Sequence, residues 1–268
     1  MQTLGSLKII MRGAGDLATG VALRLYGAGF SRLLLLETDH PLAVRRLVSF
    51  SEAVALDAIS VEGVRAVCKN QPQNLQDNTD IVVLVDPRGE NIAALKPDVV
   101  IDAIMAKKNL GTTMDMAPLV IGLGPGFTAG TDVHCVIETM RGHTLGRVIR
   151  QGAALADTGV PGSIGGYTEE RLLRAPADGM FTTECDIGDR VAAGDQVAAV
   201  DGKPVIARIS GVLRGLLRNN TPVGRNTKLG DIDPRGKSEY CHLVSDKALA
   251  IGGGVLEAIA GYYNRMEH

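Results

Sequence analysis

Ionisable and hydroxyl-bearing side chains gather in one stretch, Ile121 to Ile149, which reads IGLGPGFTAGTDVHCVIETMRGHTLGRVI. An apolar run ends there in a loop holding Gly122, Gly124, Gly126 and Gly130, with Thr128 and Thr131 among them. Glycines let backbone amides approach a ligand, and threonine hydroxyls add donors. Asp132, His134 and Glu138 follow at spacings of two and four, and Arg141 and His143 come shortly after. On a strand the first three share a face; on a helix His134 and Glu138 still do. An imidazole and a carboxylate on one face are the parts of a general acid–base pair. His134 and Glu138 are therefore the candidate catalytic residues, and Gly124, Gly126, Thr128, Asp132 and Arg141 the candidate ligand contacts. The plainer alternative is a Gly-rich turn feeding a strand with a wet outer face.

A second constellation lies near the amino terminus. Leu7 to Met11 is apolar and stops at Arg12-Gly-Ala-Gly-Asp16; a helical pattern runs through Leu17, Val21 and Leu25. Leu33 to Leu36 is a continuous apolar run ending at Glu37. This order predicts a β-α-β unit with Gly13, Gly15 and Ala18 at the dinucleotide fingerprint positions. The first glycine permits the turn, the second clears room for a pyrophosphate, and Ala18 keeps helix and strand close. Glu37 stands where a carboxylate would accept ribose hydroxyls. Asp16 departs from the pattern, because it caps the helix start and its charge opposes an anion there. A scaffold that has kept the turn and lost the ligand is the alternative.

The elements needed to position these groups follow along the chain. Residues 53–56, 64–67, 81–85 and 99–101 read as strands, and 91–95 and the segment after Pro41 as helical. Asp86-Pro87-Arg88-Gly89 and Asp102 fall just after strands, where open α/β sheets bind ligands. Lys107 and Lys108 could meet an anion or simply be solvated. Beyond Arg174 the texture changes to short strands separated by Gly-Asp turns, which predicts a small all-β unit. The A-P-x-x-G opening at Ala175, the turn from Ile187 to Val197 and Ser210-Gly-Val-Leu213 make this unit resemble the biotinyl/lipoyl fold, a barrel-sandwich hybrid. Its carrier site is missing: the hairpin tip reads Asp201-Gly-Lys-Pro204, and Lys203 has no methionine neighbour. No covalent lipoyl or biotin is expected. Ser245 is placed to cap a helix, and Gly252-Gly-Gly254 leads into an apolar helical pattern over 255–263; close packing on the first domain would offset the three glycines.

The expected architecture is thus α/β: a Rossmann-like parallel-sheet domain over 1–174, a barrel-sandwich-hybrid-like domain over 175–236, and a C-terminal helix over 237–268 that returns to the first domain. Composition agrees with an aliphatic core, as the 268 residues include no Trp and four Phe. Glycine numbers 33, about 12 per cent, against an average near 7 per cent. A net charge of −2 gives no electrostatic reason to expect nucleic acid, and no basic block points to a membrane surface. Cys68, Cys135, Cys185 and Cys241 form no CxxC pair. With no leader-like start, this predicts a cytoplasmic protein with reduced thiols. A metal site drawing on His134, Cys135, His143, Cys241 and His242 has no motif behind it, and none is expected.

Long motifs occur in order: Gly13-Ala-Gly-Asp-Leu-Ala-Thr-Gly20, Arg45-Arg-Leu-Val-Ser-Phe-Ser-Glu-Ala53, the GLGPGFTAGTDVHCVIETMRGHTLGRV segment, Asp157-Thr-Gly-Val-Pro-Gly162, Gly230-Asp-Ile-Asp-Pro-Arg235 and Ala250-Ile-Gly-Gly-Gly-Val-Leu-Glu257. Over nearly the whole chain they resemble the accessory-protein family of the selenium-dependent molybdenum hydroxylase system. The resemblance implies a bacterial cytoplasmic factor that matures a molybdenum hydroxylase, either by handling its pyranopterin cofactor or by delivering selenium or sulfur. The first role suits the glycine loops, Thr128 and Arg141. The second would need a thiolate in an electropositive pocket, and Cys135, in the polar motif, reads better as a core residue. Three functions therefore stand: a maturation factor that binds the molybdenum cofactor or a nucleotide and docks on the hydroxylase; an NAD(H)-dependent oxidoreductase; and a non-catalytic assembly scaffold. The sequence leaves self-association open.

Overall fold

The computed structural model describes residues 3–71 and 80–266. The chain divides into two compact units, one of residues 1–41, 49–157 and 244–268, the other of residues 42–48 and 158–243. The boundary falls before the change of texture at Arg174, and the excursion of 42–48 into the second unit carries no sequence signal.

In the first unit the elements are β1 (Ile9–Arg12), α1 (Asp16–Gly27), β2 (Leu33–Glu37), α2 (Ala53–Leu56), β3 (Ala58–Val61), β4 (Val64–Lys69), β5 (Ile81–Val85), α3 (Ile92–Leu95), β6 (Val99–Asp102), β7 (Leu119–Leu123), β8 (Thr128–Ala129), β9 (Cys135–Ile137), β10 (Val148–Ile149) and β11 (Gly152–Ala153). Nine strands form one sheet in the order β10-β9-β7-β6-β1-β2-β5-β4-β3, and β8 pairs separately with β11. The interior pairs are parallel, as in β1 with β2 and with β6, but both edges are antiparallel: β3 on β4 and β10 on β9. The sheet is therefore mixed, which corrects the expected Rossmann-like parallel sheet. Tight local returns decide the edges. Between β3 and β4 the chain turns on Glu62 and Gly63, both at positive φ (48° and 82°), the geometry of a two-residue hairpin. Residues 53–56, expected as a strand, form α2 instead, since four apolar residues satisfy either pattern. The core is aliphatic, with Ile10, Leu34, Val100, Val120 and Val136 buried around Phe127.

Next in sequence come β12 (Leu172–Arg174), β13 (Gly179–Thr182), β14 (Arg190–Val191), β15 (Gln196–Val200), β16 (Lys203–Ile206), β17 (Gly211–Leu216), β18 (Thr221–Val223) and β19 (Lys228–Asp233) of the second unit. They make two four-stranded antiparallel sheets, β12-β19-β17-β14 and β16-β15-β13-β18, rather than the expected biotinyl-like barrel-sandwich hybrid. Gly-Asp turns specify hairpins but not which strands pair beyond them. Register shifts at Leu173/Arg174, Gln196/Ala198 and Leu213/Gly215 curl the sheets. Phe181, Leu213, Leu229 and Ile232 fill the core. The Gly230–Arg235 motif is structural here: buried Asp231 takes Arg171 and Arg214, while Asp233 takes Arg235 at 2.6 Å. Burial opposes ionisation of both carboxyls, yet the arginines, with Lys228 beside Asp231, hold them below the usual carboxylate range.

The last element, α4 (Asp246–Met266), belongs to the first unit and packs along α1. Its start is capped by Ser245, whose Oγ accepts the Ala248 amide at 3.1 Å. Gly20 lies directly against Ala248, and a Cβ on Gly252 would sit 2.8 Å from Cγ of Arg24 and 3.0 Å from the Gly20 carbonyl. Gly254 abuts the Gly146 carbonyl, whereas Gly253 meets nothing. Two of the three glycines are thus required by close approach. In guanidinium unfolding, Gly20→Val is expected to cost about 2 kcal/mol or more by overpacking, and Gly253→Ala to gain about 0.5–1 kcal/mol of helix propensity. Equal effects at the two sites would contradict this packing.

Candidate functional site

The parallel strands end at a common rim, and β1 lies where the chain order reverses, with β2 on one side and β6 on the other. Ligands of open α/β sheets settle outside such carboxyl ends. Gly13, at φ 98°, touches the backbone of the loop after β6, where an added Cβ would lie 2.9 Å from the Ala103 carbonyl. A buried network ties the two strand ends: Arg12 contacts Asp102 at 3.4 Å, Thr112 donates to Asp102 at 2.6 Å, and Arg12 also donates to Thr112 and to the Leu110 carbonyl. Arg12 and Asp102 are 4 % and 2 % exposed. The loop from Asp102 to Thr112 carries Met105 and Lys107 at positive φ (62° and 61°), a cost borne by segments the surrounding structure over-determines.

At the centre of the rim is the amino end of α1. Gly15, the N-cap, offers no side-chain cap, has φ −65°, and would point a Cβ into open space. Ser51 is fastened to this turn, since its amide donates to the Ala14 carbonyl at 2.8 Å. Ser51 is 1 % exposed and its hydroxyl has no hydrogen-bond partner. An unmet buried hydroxyl of this kind costs about 1–3 kcal/mol. Because α4 runs parallel to α1, its amino end reaches the same rim and brings Lys247 into the fields of Asp16, Asp157 and Glu138. Burial and the neighbouring Arg141 pull the Lys247 ammonium below the ordinary lysine range despite those acids. Arg141 makes a bidentate pair with Asp246 at 2.8 and 3.1 Å, and Lys107 pairs with Asp157 at 2.6 Å.

The structure separates the two candidate catalytic residues. His134 precedes β9 and Glu138 follows it, which puts about 13 Å of strand between them. The Nδ1 of His134 accepts the Val120 amide at 2.9 Å, and burial pushes its pKa down. Glu138, 2 % exposed, accepts the amides of Met140 at 2.7 Å and Leu155 at 2.9 Å. Both side chains pin backbone. Asp132 does the same, accepting the Thr128 amide at 2.8 Å. Gly124 and Gly126 permit close approach, but to Thr139 and to the Lys107–Lys108 backbone. Glu37 is likewise engaged: one oxygen accepts the Ala14 amide at 2.9 Å and the other the Thr38 amide at 2.8 Å. Ala18 is buried against the core, and Asp86 caps the turn before α3 through Glu90 and Asn91. Gly13, Gly15 and Arg141 remain at the rim. Ser51 and Lys247 join them without a sequence signal.

Among the described residues, no group of three or more His, Cys, Asp or Glu could hold a metal ion, and no helix is long and apolar enough to cross a membrane. No family model matches the chain. It is 49% identical over 258 residues to the "Uncharacterized protein YqeB" of Escherichia coli K12, covering 95% of this chain and 48% of that protein. The chain thus spans about half the length of that relative. Among solved structures, an aspartoacylase family protein from Mesorhizobium loti gives a TM-score of 0.28 at 12% identity, covering 84% of this chain and 83% of its own. The ectoine utilization protein EutE of Ruegeria pomeroyi, with product bound, gives 0.25 at 11% identity, covering 84% and 85%. Scores this low carry no argument.

Cys135 is 5 % exposed, and desolvation pushes its thiol up to about 11. A thiol so protonated is a poor nucleophile. Alkylation with iodoacetamide at pH 7.5 is expected to spare Cys135 and the buried Cys241 in the folded protein and to modify all four cysteines in urea. Rapid native labelling of Cys135 would reopen it as a carrier of sulfur or selenium.

Proposed function

We propose that this chain acts in the maturation of a selenium-dependent molybdenum hydroxylase, binding the molybdenum cofactor or a nucleotide form of it by a phosphate group and presenting it to the hydroxylase. The observation that carries the reading is the uncapped amino end of α1, open at Gly15 and attended by the unmet hydroxyl of Ser51. A helix amino end offers free amides and a positive dipole to an anion. The ordered motifs that resemble the accessory family supply the cargo. When bound, that cargo would bring its own molybdenum chemistry; this chain would hold and orient it.

The alternatives are less well served by the residues. An NAD(H) enzyme would want the Glu37 carboxylate for ribose, and both its oxygens are occupied by backbone amides. Its acid–base pair would be His134 and Glu138, which stand at opposite ends of β9. Direct thiol transfer is disfavoured by the protonated, buried Cys135. Docking on the hydroxylase follows from the resemblance.

The test uses a substitution that the fold tolerates. Gly15 has a φ any residue adopts and nothing within 4 Å of an added Cβ, so Gly15→Val would fill the ligand's space and leave the core alone. Native mass spectrometry of protein from cells making molybdenum cofactor is expected to show a pterin-sized or nucleotide-bearing adduct that Gly15→Val lacks at unchanged melting temperature. An equal adduct on both proteins, or none on either, would contradict the reading.

A further inference from the structure

The binding reading leaves a difficulty at Asp16. Its carboxylate stands in the first turn of α1, where it repels any anion the helix would attract. Lys247 answers it from α4. Ala248 lies against Gly20 and Gly252 against Arg24, so the parallel register sets Lys247 at the amino end of α1, where Asp16, Asp157, Glu138 and Arg141 act on its ammonium. Two neighbouring cations are committed, Arg141 to Asp246 and Lys107 to Asp157. Lys247 forms no direct ion pair among the described residues. Its charge is therefore available to a ligand.

We infer that the amino end of α1, the hydroxyl of Ser51 and the ammonium of Lys247 form a single oxyanion site that takes a phosphate or pyrophosphate group, with Lys247 also offsetting the charge of Asp16. The inference rests on the binding reading above and deepens it by naming two side chains that recognise the phosphate. Each part supplies something different. The helix end supplies amides and field, Ser51 supplies a buried donor, and Lys247 supplies full charge. Ser51 is 1 % exposed, its hydroxyl has no partner, and its amide is bonded to the Ala14 carbonyl of the turn; an oxygen arriving at that turn would complete it. The site selects a terminal or bridging phosphate over a carboxylic acid, because tetrahedral oxygens can meet several donors at once.

The experiment is a calorimetric titration of the full chain with inorganic pyrophosphate and, separately, with ADP. Wild type is expected to bind at least one of them, and Gly15→Val neither. Lys247→Met is expected to weaken binding roughly tenfold or more, with a shallower dependence on salt, and Ser51→Ala severalfold. Lys247→Arg should keep most of the affinity; because Met preserves the apolar stem, a loss confined to Lys247→Met is one a packing role would not explain. Tighter binding of ADP would mark a nucleotide as the source of the phosphate, and equal binding the anion alone; both support the site. If Gly15→Val abolishes binding while Lys247→Met and Ser51→Ala match wild type, the rim binds ligands but this assignment is overturned. If Gly15→Val binds like wild type, or wild type binds neither probe, the reading beneath it falls as well.

Discussion

The close parallel contact of α1 and α4 is the constraint on which the candidate site depends. Gly20 against Ala248 and Gly252 against Arg24 bring the two backbones nearer than side chains would allow. The contact sets direction as well as distance. Both helices point their amino ends at the rim where the parallel strands finish, so two positive dipole ends converge. One residue into α4, that register puts Lys247 within reach of Asp16. A bulkier residue at position 20 would move the helix and the charge together.

The rim also shows how acidic residues divide into those that hold backbone and those left free to act. Glu37, Glu138, Asp86 and Asp132 all accept main-chain amides. They close turns where a loop cannot supply its own acceptors. Asp102 is held in a buried pair with Arg12, locking the ends of β1 and β6. Breaking one partner of such a pair typically costs about 3–5 kcal/mol, because the other charge is stranded. What remains at the centre is the uncapped amino end of α1, with Asp16 in its first turn and Lys247 beside it.

The sequence was informative where local pattern and tertiary role coincide. Leu7–Met11, apolar but for Lys8, the Gly13–Asp16 turn and Leu33–Leu36 read as strand, turn and strand because burial on both faces leaves apolar runs. Ser245 read as a cap for the same local reason. The antiparallel edges and the pairing in the second unit were not legible, since they depend on partners distant in the chain. The proposed site was legible only in part. Gly15 announces itself by spacing, whereas Ser51 is bonded to the α1 turn and Lys247 comes near Asp16 only through contacts distant in the chain. Conversely, the polar run from Asp132 to Glu138 looked like a catalytic face. Spacing could not reveal that each of those side chains would be claimed by a nearby amide.

The most direct measurement is a backbone-amide NMR titration of the intact chain with pyrophosphate. A site at the rim predicts the largest shifts at Ala14–Leu17, Ser51 and Ser245–Ala248, saturating together with one affinity. Shifts confined to residues 158–243, or none at millimolar ligand, would contradict the account.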